Sequence, residues 1–113
     1  VSLVAEPTEV SRVLVQALDD GLSVPGEIVR TAIYDRIEKS YGLKREDIPE
    51  KLEAFHRALE DLLGESAKVM EKLIAKRLYS HLGLGFTNHD GWTLVEYVNH
   101  AREFKRYGSR SEP

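Results

Sequence analysis

Glycine closes one helical-period segment after another in this chain. Gly21-Leu22, Gly42-Leu43, Gly64 and Gly83-Leu84 each follow a stretch whose apolar residues recur every three to four positions. Glycine enters the left-handed backbone region without a Cβ penalty, which ends a helix. A leucine just beyond it supplies the hydrophobic contact of a Schellman ending. These stops predict an all-α chain of about five helices.

The first helix is expected from Thr8, as N-cap, to Asp20, with Val10, Val13, Leu14, Ala17 and Leu18 on one face. The second starts near Ser23 to Pro25 and runs to Tyr41, with Val29, Ala32, Ile33 and Ile37 facing inward. Lys44 to Glu50 reads as an extended or turn connection, because Pro49 disfavours helix at Ile48. A third helix covers Glu50 to Leu63, turning Leu52, Phe55, Leu59, Leu62 and Leu63 to the core, and a fourth covers Ser66 to Leu82. In the fourth, Val69, Met70, Leu73, Ile74, Leu78 and Leu82 spread over more than one face, which predicts a central, broadly apolar helix. Thr93-Leu94-Val95-Glu96 has the pattern of a capping box and opens a fifth helix ending near Tyr107. No window alternates long enough for a strand.

A chain of 113 residues holds one domain, here 1–113, with residues 1–7 and 108–113 expected to be flexible. A first residue that is not methionine suggests a segment trimmed from something longer. With no cysteine, disulfides, thiolate nucleophiles and cysteine zinc sites drop out, in keeping with a cytoplasmic protein. No apolar run approaches the ~20 residues of a spanning helix. A net charge of -3 argues against nucleic acid as the main partner.

Catalytic chemistry finds no constellation. The serines occupy caps, helix ends or tails, so no nucleophile stands beside a base, and no enzyme is expected. His56, His81, His89 and His100 contain no pair at i, i+4, so neither a metal site nor a cofactor is predicted. The letters GLGF at Gly83 to Phe86 match a carboxylate-binding loop, but that loop feeds a strand this chain lacks.

Three surfaces remain. Lys68, Lys72 and Lys76 repeat every four residues as a basic strip, which reads first as a solvated face and second as a nucleic-acid contact, for which the Lys105, Arg106 and Arg110 tail is the other candidate. Arg77 projects among Met70, Leu73 and Ile74 with His81 one turn onward, and arginine in an apolar arc suits a protein interface. Arg77, His81, Met70 and Ile74 are therefore the expected partner-binding residues. Finally, Phe86 and Trp92 are expected to anchor the 83–91 loop as a hinge, leaving His89 and Asp90 at an exposed tip as a possible contact.

The span AIYDRIEKSYGLKREDIPEKLEAFHRALEDLLGESAKVMEKLIAKRLYSHLGL, from Ala32 to Leu84, resembles a family of small archaeal helical domains of the Nitrosopumilus output domain type. The resemblance rests on Ala32, Ile33, Tyr34, Gly42 to Glu50, Phe55, Ala58, Leu59, Gly64, Ala67 to Val69, Glu71 to Ile74, Lys76, Leu78, Tyr79 and Leu82 to Leu84. Leu94 to Val98 extend it into the fifth helix. Members often carry a second proline where this chain has Leu52, a departure that lets the third helix begin a turn earlier. The resemblance implies an archaeal module, alone or appended to signalling proteins, that passes a signal by protein contact and has no established catalytic residues. The expectation is thus a signal-output module working by protein-protein contact, as a homodimer, with a nucleic-acid-binding regulator as the alternative.

Overall fold

A computed structural model of the protein describes residues 2–107, with side chains from residue 9 to residue 106. Five α-helices follow one another: α1 (Ser2–Leu22), α2 (Glu27–Tyr41), α3 (Leu52–Leu63), α4 (Ser66–Leu82) and α5 (Leu94–Tyr107). A 3₁₀ helix, Arg45–Glu50, lies between α2 and α3, making six helical elements rather than five. The described residues contain no strand. Residues 108–113, including Arg110, lie outside the described residues, whereas residues 2–7, expected to be flexible, open α1.

Two of the glycine stops behave as their sequence predicts. Gly42 (φ 66°) and Gly83 (φ 74°) are left-handed and close α2 and α4. At Gly83 the ending is of Schellman type, with Leu84 N–H donating to Tyr79 C=O at 2.9 Å. Gly64 also has positive φ and follows α3. Gly21 does something else: it lies inside α1, fully buried, with its Cα against Ile74 of α4. It is a point of close helix approach, and α1 runs one residue past it.

Helix α1 also starts before Thr8, which is therefore interior and not a cap. Val10, Leu14, Ala17, Leu18 and Leu22 form its buried stripe. It packs most extensively on α4 and also touches α2, the 3₁₀ helix and α5. The bundle is thus built around an α1–α4 pair rather than around α4 alone. Nor is the α4 interior wholly apolar: Ala67, Met70, Ile74, Ala75, Leu78, Tyr79 and Leu82 are buried there beside a carboxylate, Glu71.

The residues expected to join 44–50 as an extended link instead wind into the 3₁₀ helix, which buries Ile48 and Pro49. Its i→i+3 hydrogen bonds are short-range enough to tolerate proline's missing donor. Arg45 there holds Asp19 of α1 with two hydrogen bonds, Nε to Oδ1 at 3.0 Å and Nη2 to Oδ2 at 2.6 Å. Tyr34 of α2 donates to the same carboxylate at 2.7 Å. Arg45's hydrogen bond holds the Asp19 carboxyl below its ordinary value, while burial and the bond to Asp19 push the Tyr34 hydroxyl up. Three elements are tied at one point.

Candidate functional site

The start of α5 is where polar groups converge. Thr93 caps it: its Oγ1 accepts from Val95 N–H at 3.2 Å, and Glu96 Oε1 accepts from Thr93 N–H at 2.6 Å. This is the capping box read from the sequence. Hydrogen bonds from Thr93 hold the Glu96 carboxyl below its ordinary value. The next amide, Leu94 N–H, donates to a different helix, reaching Glu71 Oε1 of α4 at 2.8 Å. The second oxygen of Glu71 accepts from His56 Nδ1 of α3 at 2.6 Å, and His56 Nε2 lies 3.4 Å from Glu60. One carboxylate whose side chain is 5% exposed thereby joins α3, α4 and α5.

Burial works to lower the His56 pKa, but the hydrogen bond and charge of Glu71, with the charges of Glu60 and Glu53, outweigh it and leave His56 above its ordinary value. The outer side of this junction is a cleft of about 300 Å³ lined by His56, Glu60, Lys68, Glu71, Lys72 and residues 89–93. Its loop wall is aromatic. His89 stacks on Trp92 with centroids 3.8 Å apart, and Trp92 meets Tyr97 edge-on at 5.0 Å. Tyr97 Oη accepts from His89 N–H at 2.9 Å, and Tyr79 Oη donates to Tyr97 C=O at 2.7 Å. Burial pushes the Tyr79 hydroxyl up to about 12. The loop is therefore pinned from below by α4 and α5, with Phe86 and Trp92 packed against the core.

The partner-binding set expected on α4 divides. Met70 and Ile74 are buried within the chain, Ile74 completely, because α1 covers the arc that had been assigned to a second subunit. They are core residues, and the reading of them as partner contacts is corrected. Arg77 is exposed, and His81 Nε2 donates to Asp20 of α1 at 2.8 Å, closing the far end of the α1–α4 pair. Lys68, Lys72 and Lys76 are all exposed. Lys68 approaches Glu65 at 4.0 Å and Lys76 sits over the Phe86 ring at 5.9 Å, while Lys72 reaches the cleft. Val69, expected in the core, is 64% exposed among these lysines. Asp90 is exposed at the tip, but His89 is half-buried against Trp92. Among the described residues, no three His, Cys, Asp or Glu side chains are placed to hold a metal ion, and no helix is long and apolar enough to cross a membrane.

The open apolar surface lies on α2 instead. Only Ile33 and Ile37 of its expected stripe are buried. Ile28 is 86% exposed, Val29 38%, and Ala32 also faces out; Val24, just before the helix, is 58% exposed. Ile28, Val29, Ala32 and Ile33 border a groove of about 490 Å³ whose far wall is Leu62 and Leu63 of α3, with Asp35 and Arg36 at its rim.

The sequence missed two things here. His56 has no histidine at i, i+4 to mark it, and Glu71 stands in a helix whose other charged residues, Lys68, Lys72, Lys76 and Arg77, are exposed. The signal for Glu71 was its place on the line Ala67, Glu71, Ala75, Leu78, which is the buried face of α4. Comparison with family models, with curated proteins and with solved structures finds no match to this chain.

Proposed function

We propose that the chain is a protein-contact module that self-associates through α2. The carrying observation is Ile28, a large aliphatic side chain 86% exposed beside Val29 and Ala32 on one helix face, with exposed Val24 in the turn just before it. Single exposed aliphatics are ordinary, but a contiguous set along one helix marks an association surface. A two-fold contact uses the same patch on both copies, and a small residue such as Ala32 at its centre lets two α2 helices approach closely. The resemblance to output domains, whose role is contact, supports the same reading.

Sedimentation analysis of the chain against the double variant Ile28→Glu/Val29→Glu tests it. The expected result is a concentration-dependent dimer for the wild type and a monomer of unchanged helicity for the variant. A wild type that remains monomeric at the highest concentration reached would sink the proposal.

The alternative, a nucleic-acid-binding regulator, is supported by the exposure of Lys68, Lys72 and Lys76 along one side of α4. It requires binding to DNA or RNA that weakens steeply with salt and falls in Lys72→Ala. No binding at low salt removes it.

A further inference from the structure

Glu71 is the one charged side chain buried in the described core, and it is held by two groups that move with different parts of the chain. Its Oε1 takes the first amide of α5, and its Oε2 takes an imidazole from α3. We propose that His56, Glu71 and the Leu94 amide form a proton-operated latch that holds the 84–93 loop and the start of α5 closed on α3 and α4 at the cleft.

A carboxylate out of water needs an opposing charge as well as hydrogen bonds. With His56 protonated, the imidazolium at 2.6 Å supplies that charge. Neutral His56 can still donate from Nδ1, so the geometry survives, but the charge of Glu71 is left uncompensated in its buried place. The carboxylate then gains by moving toward water, and the contact it must release is Leu94 N–H. The route outward is the cleft, which already adjoins Glu71 and His56. Opening there frees Thr93, Leu94 and the stacked His89–Trp92 pair together.

The charged groups around His56 come from each packed element. Glu53 and Glu60 stand on its own helix, Glu71 on α4, and Lys68, Lys72 and Asp90 line the same cleft, while Glu96 of α5 feels its charge. Against burial, which lowers it, the bond and charge of Glu71 with the charges of Glu60 and Glu53 keep His56 in the closed state above its ordinary 6.5. A proton therefore favours closure. The stabilisation is complete below about 6.5 and is lost as pH rises through the higher value of the closed state.

The test is residue-resolved amide exchange between mildly acid and mildly alkaline pH, corrected for the intrinsic pH dependence of exchange, with the His56 ring followed by NMR in the same samples. The protection of Leu94 N–H should fall severalfold as His56 loses its proton, while Leu14 and Leu59 in the core stay constant. In His56→Gln, which keeps a donor but has no titration, Leu94 should show no pH response. Its retention in His89→Gln should show that the histidine on Trp92 is not the trigger. Leu94 protection that stays flat through the His56 titration, or that falls equally in His56→Gln, overturns the latch.

Discussion

The Cα of Gly21 faces Ile74 so closely that a methyl group in place of its hydrogen would stand 2.6 Å from Ile74 Cγ1 and 3.2 Å from its Cα. Helix α1 therefore meets α4 at a spot where no side chain fits. In Gly21→Ala the gain in helix propensity is about 1 kcal/mol, but relieving the clash costs about 1–3 kcal/mol and the backbone of α4 must shift. The expected net change is a loss of stability of up to about 2 kcal/mol, read by urea unfolding. A stabilised variant would show that the helices separate there without cost.

The same pair of helices separates two readings of α4. Ile74→Ala should cost about 2–5 kcal/mol, as emptying a filled core site does. Arg77→Ala, three residues on and exposed, should stay within about 0.5 kcal/mol of the wild type. Equal and small effects at both positions would return Ile74 to the surface.

Asp19 sets the behaviour in acid. Its carboxyl is held below its ordinary 3.8, with the Arg45 hydrogen bond as the largest cause. A depressed carboxyl contributes stability that is present above that value and disappears as pH falls through the folded one. Asp19→Asn should therefore flatten the acid limb of a thermal-stability profile below pH about 4. A double-mutant cycle with Arg45→Met should return about 1 kcal/mol of coupling, kept small by the partial exposure of both partners.

At the start of α5, Thr93→Ala removes the capping hydroxyl and should cost about 1 kcal/mol in denaturant titration. Glu71→Ala strands both Leu94 N–H and the His56 imidazole, so it should cost more, about 2–3 kcal/mol. If the two substitutions proved equal, Glu71 would be only a cap.

The all-helical class, the order of the α-helices and the endings at Gly42, Gly64 and Gly83 were legible because they depend on local backbone chemistry, whereas the sixth helical element, the 3₁₀ helix Arg45–Glu50, was not. Glycine at Gly42 or Gly83 ends a helix whatever packs nearby. Gly21 carries the same letters, Gly-Leu after a helical stripe, yet serves the approach of Ile74, and a partner so remote in the chain leaves no mark beside it. Met70 and Ile74 failed as partner contacts for a related reason. The breadth of apolar residues on α4 was visible, but not that α1 is long enough to cover it. Conversely, Val29 and Ala32 of α2 had the spacing of a buried stripe and lie open, since α1 and α3, the helices packed most closely on α2, leave that face uncovered. Of the candidate site, the capping box was readable from residues three apart, whereas the His56–Glu71 pair joins two helices and was not.

The α1–α4 pairing has a consequence for how the chain is made. Leu14 and Leu18 are sealed chiefly by a helix that follows α2, the 3₁₀ segment and α3 in the order of synthesis. A nascent chain leaves the ribosome N-terminus first, so the amphipathic face of α1 stays open to solvent until α4 has emerged. During that interval it is a natural ligand for chaperones and for other unfinished chains. Fragments that stop short of α4 should collect in inclusion bodies, however helical α1 is by itself.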